Sequence, residues 1–313
     1  DTAGGGTFMY YFRRFSEPPL SAPSYIRTTF VAGQNQYVNT NLSFNNYWDS
    51  ERQNLYTYLG YSRGLANYYT PCSQSPSLLG TYRTSNIDLN VMYRQKLTRD
   101  SYMGAKYEYG YNGMDSRTPV GVFSSNEVYG LNGGAVSGVG MSWMSLPVED
   151  IFSPKRNFAF ELSYTLYSKY FGSQYSYEKF VLDLREYYHI KTSHIFVFES
   201  YFGLLAGEVP YRRLLSISDL FRAYPYDKYL DKNMMGIKAE YRLLVFSRMY
   251  LSAFLGTGYH SVSVKKFRMN DNLPSYGGGV RFLLDSELNI NARLDYVVGR
   301  DGKGFMLGVG EGF

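Results

Sequence analysis

Hydrophobic and polar residues alternate with a period of two along most of this chain. Because successive side chains of a β-strand point to opposite faces, the alternation predicts strands with one apolar and one polar face. Several alternating segments run for nine or more residues before a turn signal. Strands of soluble domains usually have about 5–6 residues, whereas about 9–11 are needed to cross a membrane. A typical segment, 288–296, sets Leu288, Ile290, Ala292, Leu294 and Tyr296 against Asn289, Asn291, Arg293 and Asp295.

The pattern predicts sixteen strands, an even number, as expected for a bacterial single-chain outer-membrane barrel. No linker or low-complexity tract interrupts them, so residues 1–313 are interpreted as one barrel domain. The predicted strands are 5–14, 24–34, 36–47, 53–63, 84–97, 101–112, 131–144, 156–168, 174–188, 192–205, 209–217, 233–245, 248–259, 275–285, 287–298 and 303–313.

Short and long connections follow one another between these strands. Long connections are predicted at 64–83, 113–130, 218–232 and 260–274, and short ones near residues 34, 98, 246 and 286. Outer-membrane barrels have this alternation, with short periplasmic turns and long external loops. The fold class predicted is therefore all-β, a transmembrane antiparallel β-barrel in the bacterial outer membrane. A soluble all-β protein is the alternative.

Composition supports the membrane interpretation. The chain has 34 Tyr and 21 Phe, which suits the aromatic girdles of a barrel at the two membrane interfaces. Mean hydropathy is only −0.32, and no run of about 18 apolar residues predicts a transmembrane helix. A single cysteine, Cys72, excludes an intramolecular disulfide and a thiolate-rich zinc site.

A series of short motifs occurs in an order that resembles the bacterial surface antigen family, the barrel of the BamA/TamA superfamily. The first motif of the series lies in a long loop, and the last is the carboxyl terminus. They are Phe221-Arg222-Ala223-Tyr224-Pro225, Glu240-Tyr241-Arg242, Tyr276 to Arg281, Arg293 to Tyr296 and Gly310 to Phe313. Similar stretches occur earlier, at Gly133-Gly134, Val136 to Gly140 and Leu182 to Tyr187.

The resemblance implies that the loop after strand 11 folds back into the lumen and that Arg222 meets an acidic side chain there. Gly256 stands where the family usually has that acid. Two lumen-facing alternatives remain, Glu240 as first choice and Asp295. We expect Arg222→Glu to lower folding yield or heat resistance and Glu240→Arg to restore it in part, unless Arg222 is a solvated residue of an external loop.

Assembly, insertion or export of outer-membrane components is the role that the resemblance implies. Three departures count against it: Ala223 replaces the usual glycine, the acid at 256 is missing, and Met144 to Val148 replaces an Asp-Thr-Arg-Asp-Asn element. POTRA repeats, which usually precede the barrel, are not visible. Two alternatives therefore stay open: a non-catalytic membrane anchor or docking barrel for a fused upstream domain or a partner lipoprotein, and a passive pore.

The first and last strands are expected to form the weakest pairing of the barrel, because glycines offer no side chains for cross-strand contacts. This seam is interpreted as a lateral exit or a partner-docking edge. Its residues are Gly308, Gly310 and Gly312 on one face and Phe305, Leu307, Val309 and Phe313 on the face assigned to lipid.

Other chemistry is not predicted. Gly138 to Gly140 and Gly308 to Gly312 lack the following helix that a nucleotide-binding loop requires. The three histidines, His189, His194 and His260, do not suggest a metal site, and no Gly-x-Ser-x-Gly elbow occurs. We therefore expect no enzyme activity, no metal and no cofactor.

The net charge of +5 is spread along the chain, so no nucleic-acid partner is expected. Lys265, Lys266 and Arg268 form a small basic group in a long loop. The expected partners are membrane lipids, with lipopolysaccharide as a candidate for such loops, and other outer-membrane proteins or lipoproteins.

Overall fold

A computed structural model describes residues 3–12, 23–98, 100–117, 129–130, 132–145, 158–191, 193–221, 223–285 and 290–309. These residues form a long antiparallel sheet, which we call the wall, and a small pair of strands inside it. Within them no helix is long and apolar enough to cross a membrane. The strands are β1 (Ala3–Phe12), β2 (Ser24–Gly33), β3 (Val38–Trp48), β4 (Gln53–Tyr69), β5 (Leu78–Thr98), β6 (Ser101–Arg117), β7 (Gly133–Ser145), β8 (Phe158–Tyr167), β9 (Tyr177–Lys191), β10 (His194–Gly207), β11 (Leu215–Ser216), β12 (Leu230–Asp231), β13 (Asn233–Phe246), β14 (Met249–Ser261), β15 (Leu273–Asp285), β16 (Ile290–Gly299) and β17 (Gly302–Val309).

Each strand of the wall pairs with its neighbour in sequence, from β1 to β10 and then from β13 to β17, so the described wall has fifteen strands. The two-residue strands β11 and β12 pair only with each other. The prediction of an all-β antiparallel fold is therefore confirmed. An antiparallel series with an odd number of strands has its first and last members running in the same direction. In the described part of the chain, β1 and β17 are the two edges of the sheet.

The predicted strand at 209–217 is wrong. The chain there forms a 3-10 turn (Tyr211–Arg213), β11 and a second 3-10 turn (Ile217–Asp219). Pro210 lacks the N–H that a central strand would donate. Side chains on both faces of this segment are buried, as Leu214 and Leu215 show, whereas a strand of the wall would bury only one face. The connection between β10 and β13 is therefore 208–232 rather than 218–232, and it follows the tenth strand of the described wall.

The predicted long connection at 64–83 is also wrong, because β4 and β5 continue through most of it and leave only residues 70–77 between them. Ala66, Tyr68 and Tyr82 on these extensions are buried against the interior cluster of the protein. Contacts with the interior cluster thus lengthen β4 and β5, and the local sequence pattern does not reveal these contacts.

The wall has its apolar side chains outside and its charges inside. Leu42 and Leu59 pair across β3 and β4 and are 44% and 47% exposed, and Leu255 on β14 is 67% exposed. Buried polar residues, in contrast, lie on the opposite face: Arg94, Lys106, Glu199, Glu240, Arg242, Arg281 and Asp295. This distribution is the reverse of that in a soluble protein and suits a wall that faces lipid outside and a polar lumen inside.

Four long connections join strands at one end of the wall, namely residues 70–77, 168–176, 208–232 and 262–272. Residues 49–52 and 247–248 are short connections at the other end. In outer-membrane barrels the end with long loops is external. We call the two ends the long-loop end and the short-turn end.

Candidate functional site

Residues 208–232, which we call the plug, leave the wall after β10 and return to it at β13. Their apolar side chains form the centre of the interior cluster, together with residues of β4, β5, β7, β8, β9, β10, β13 and β15. A single segment can contact so many strands only if the wall curves around it. The buried plug residues are Val209, Tyr211, Leu214, Leu215, Ile217, Leu220, Phe221, Tyr224, Tyr229 and Leu230.

Two consecutive arginines connect the plug to β4, β5 and β6. The Arg212 guanidinium donates to the hydroxyl of Tyr82 at 3.0 Å and to Asp227, within the plug, at 2.7 Å. Asp227 in turn accepts from the backbone N–H of Asn67 at 3.2 Å. The Tyr211 and Tyr68 rings meet edge to face, 5.1 Å apart. These contacts fix both the plug and the extended ends of the strands.

Arg213 reaches further down the wall and forms an ion pair with Asp88 of β5 at 2.6 Å. Asp88 pairs across the strands with Gly110 of β6. A Cβ at position 110 would overlap the Arg213 guanidinium. The glycine therefore leaves the space through which the arginine reaches its carboxylate.

Phe221 packs into a cradle of three glycines on β13 and β14. Gly236 and Gly258 are paired in register, and Gly256 lies two residues before Gly258. A Cβ built at Gly256 or Gly258 would lie 2.6 or 2.7 Å from the Phe221 ring, and one at Gly236 would lie 3.2 Å from it. The Phe221 ring thus packs against Gly256, the position at which the family resemblance implies an acid.

The end of the plug is attached to the last strands of the wall. The Tyr224 hydroxyl donates to the carbonyl of Pro274 at 2.5 Å and accepts from the Arg300 N–H at 3.2 Å. Lys228 forms an ion pair with Asp301 at 2.9 Å. The plug is therefore held by β4 to β6 through arginines, by β13 and β14 through the glycine cradle, and by β15 to β17 through Tyr224 and Lys228.

Four of the five predicted loop-motif residues are described, and all four make contacts that can be stated. Phe221 lies in the cradle and Tyr224 on the Pro274 carbonyl, while Ala223 packs close to Gly299 of β16. Pro225 accepts from the N–H of Lys228. Arg222 lies outside the described residues, so its contacts remain a prediction.

Both acids proposed as partners of Arg222 are buried in the lumen and already hold other cations. Glu240 binds Arg242 at 2.6 Å through one oxygen and Arg281 at 3.2 Å through the other. Arg281 also forms an ion pair with Asp295. A cavity of about 40 Å³ separates this network from Phe221 and Leu220 of the plug. The acids are therefore near the predicted motif.

Asp219 is a plug acid that the sequence pattern did not indicate. Burial raises the pKa of its carboxyl from 3.8 to about 6, and a hydrogen bond from the Ser216 backbone opposes the rise. Arg212, Arg213, Asp88 and Gly110 were missed as well. The sequence did contain a signal for the two arginines, since Arg212 and Arg213 are consecutive in an otherwise apolar segment. Charged side chains in a buried segment need partners of opposite charge.

The predicted seam residues that are described lie along β17. Leu307 and Phe305 are 84% and 75% exposed, more than the outward leucines of the inner strands. Gly308 lies beside the Arg293 side chain, and a Cβ there would come within 2.7 Å of it. Gly310, Gly312 and Phe313 lie outside the described residues.

His260 forms a buried pair with Asp231, Nδ1 to Oδ2 at 3.0 Å, at the long-loop end. Among the described residues no three His, Cys, Asp or Glu side chains converge so as to hold a metal ion. Burial raises the pKa of the nearby Cys72 thiol to about 12, and Asp231 adds to the rise.

No protein-family model and no curated protein matches this sequence. Among solved structures, BamA from Haemophilus ducreyi lacking POTRA domains 1–3 superimposes with a TM-score of 0.60 at 10% identity, over 99% of this chain and 69% of that chain. CdiB from Acinetobacter baumannii matches with a TM-score of 0.60 at 9% identity, over 98% of this chain and 56% of that one. CdiB from Escherichia coli matches with a TM-score of 0.60 at 10% identity, over 98% and 58%. This chain thus spans little more than half of the CdiB chains.

Identities of this size show likeness of fold alone. The wall order, the apolar exterior, the charged interior and these likenesses agree, and the described chain has a fold like that of the BamA and CdiB structures.

Proposed function

We propose that this protein is an integral outer-membrane barrel of the BamA-like superfamily that acts in the assembly, insertion or export of outer-membrane proteins. The observation that carries the proposal is the plug, because the resemblance places an inward-folded loop at the Phe221 motif. Phe221 and Tyr224 of that motif lie in the interior cluster. The fold likeness to BamA and CdiB supports the same direction.

A passive pore is a poorer explanation of the lumen. The plug carries ten buried apolar residues and is held to strands on several sides by ion pairs and hydrogen bonds. A channel that conducts freely has no need of a segment attached at so many points. We therefore expect the resting barrel to conduct poorly.

An anchor or docking barrel remains the second candidate, and the glycine cradle favours it. With Gly256 against the Phe221 ring, this contact is apolar where the resemblance implies an ion pair. An apolar contact would suit a plug that only closes the lumen, whereas a plug that moves during assembly would suit polar contacts that exchange with water.

In this proposal, the protein would engage a client or partner at the seam between β1 and β17. Each of these strands has a single neighbour in the described wall, so its outer backbone groups are available to another strand. An edge of this kind is the part of the sheet through which a client strand would be added or a partner would dock.

The test is reconstitution of the folded barrel in liposomes, followed by the folding rate of a client outer-membrane barrel added in urea. The proposal predicts faster client insertion than into liposomes that hold a porin of similar size. Single-channel recording on the same preparation gives the second readout. If the barrel conducts poorly and does not accelerate client insertion, the anchor function would replace the assembly function. A steady large conductance would indicate a pore.

A further inference from the structure

A cavity near the long-loop end lies between the 262–272 connection and the 70–77 connection. Its volume is about 380 Å³, within the range of small-molecule sites. Three cationic side chains line it, Lys265, Lys266 and Arg268, together with Gln74 and Ser261. Of its lining residues, Asp231 belongs to the plug.

The three cations form no ion pair with any described residue, unlike most charged side chains of the lumen. Two acids also line the cavity, Asp231 and Asp271. Asp231 is already satisfied by His260 at 3.0 Å and by the Lys232 N–H at 2.8 Å, and its side chain is almost fully buried. The accessible charge of the cavity is therefore positive, with Asp271 as its one opposing group among the described residues.

Backbone contacts give the cavity a defined base. The Gln74 amide donates to the carbonyl of His260 at 2.9 Å, and the Cys72 N–H donates to the carbonyl of Leu230 at 2.9 Å. These bonds join the 70–77 connection to β14 and to the plug. The arrangement is consequently present before any ligand arrives, which lowers the cost of binding.

Exposed apolar side chains flank the cations on the same loop. Val264 is 58% exposed and Met269 is 70% exposed, next to Lys265 and Arg268 in sequence. A soluble anion would gain nothing from them. A lipid would use both features, with its anionic head against the cations and its acyl chains against Val264 and Met269.

We propose that this cavity binds the phosphorylated headgroup of a lipid in the outer leaflet. The proposal rests on the outer-membrane location given above and not on the assembly activity. A phosphate ester supplies the oxygens that Lys and Arg side chains recognise, and a sugar head would fill the remaining volume beside Gln74 and Ser261. Bound there, the lipid would link the 262–272 loop to the membrane surface.

The test uses the purified full chain in detergent, with diphosphorylated lipid A as the probe and native mass spectrometry as the readout. Lys266→Gln should weaken binding about 5-fold, and the triple change of Lys265, Lys266 and Arg268 to Gln about 100-fold. Asp271→Asn should strengthen binding, because it removes the opposing charge. Lys169→Gln, in another loop at the same end, is the matched control and should change nothing.

A second probe and a double variant identify the source of the anion. Glucosamine phosphate without acyl chains should bind far more weakly than lipid A, and Val264→Ser with Met269→Ser should abolish the difference. Equal affinity for the two probes would assign the cavity to a soluble phosphorylated sugar and overturn the lipid proposal. Loss of binding in Lys169→Gln to the same degree as in Lys266→Gln would show non-specific charge attraction and would overturn the site itself. Neither result depends on whether client insertion is accelerated.

Discussion

The guanidinium of Arg213 on the plug lies 2.6 Å from the carboxylate of Asp88 on β5, directly opposite Gly110 on β6. The ion pair and the glycine belong together, since any side chain at 110 would overlap the guanidinium. One attachment of the plug therefore depends on three residues from three segments.

Gly110→Ala should displace Arg213 and break this ion pair. The expected loss is only about 1 kcal/mol, because Asp88 is 42% exposed and water screens the pair. Brief conductance openings in planar bilayers would report the looser plug. Asp88→Asn should produce the same openings, and the double variant should be no worse than either single one. Fully additive effects would show that Gly110 acts in some other way.

Gly258→Ala should push Phe221 out of its cradle. The added Cβ would lie 2.7 Å from the ring, and overpacking of this kind costs about 1–3 kcal/mol. The measurement is the temperature at which the folded band disappears on semi-native gels. In a Phe221→Ala background the same substitution should cost much less, because the ring is gone. Gly304→Ala, where a Cβ would meet nothing within 4 Å, is the control.

Glu240→Gln should destabilise the barrel by about 3–5 kcal/mol, because it removes the buried carboxylate that the guanidinium groups of Arg242 and Arg281 share. Urea titration of the folded barrel in detergent gives the value. Glu161→Gln is the matched control, since that lumen acid is 43% exposed and its pair with Arg94 is 3.6 Å long. Comparable losses in both variants would contradict the role assigned to burial.

The network also changes how the Arg222 hypothesis is best tested. Glu240→Arg would bring three guanidinium groups together and would fail to fold well whatever Arg222 does. Arg222→Gln compared with Arg212→Gln avoids that problem. A loss of heat resistance for Arg222→Gln as large as that for Arg212→Gln is expected if Arg222 is paired in the lumen, and a silent change would indicate a solvated side chain.

The plug should be more stable in mild acid than at neutral pH because of Asp219. Its pKa is raised by burial from 3.8 to about 6, so the folded state holds the proton more tightly than the unfolded state. The stabilising contribution is complete below pH 3.8 and is lost as the pH rises through about 6. Asp219→Asn should remove this dependence and raise stability at pH 7, by less than the full shift implies because the residue is exposed and water screens its charge. Heat-resistance midpoints at several pH values between 4 and 7 provide the measurement, and an unchanged slope in the variant would contradict the assignment.

Amides of β17 should exchange hydrogen faster than those of β16. β17 is an edge strand in the described wall, and its glycines provide few cross-strand side-chain contacts. Exchange in nanodiscs, compared over 303–313 and 287–298, tests the predicted seam. Equal protection of the two segments would show that another strand covers this edge.

Much of the wall was predictable because each strand repeats a local rule. The alternation at 288–296 puts Leu294 on the lipid face and Asp295 in the lumen, and Leu294 is exposed while Asp295 is buried. The same rule failed at 209–217, where Tyr211, Leu215 and Ile217 also alternate. There the apolar residues pack against the inside of other strands rather than face lipid, and a period of two cannot distinguish these surroundings.

By itself, the sequence determined an antiparallel wall with apolar side chains outside and charged side chains inside, because strand periodicity depends only on neighbouring residues. The tertiary structure decided what fills the lumen and what holds it there. Arg213 with Asp88, and Phe221 with Gly258, are 125 and 37 residues apart in the chain. Such pairs come together only once the wall has curved around the plug, and no local pattern records which charge or ring will meet which partner.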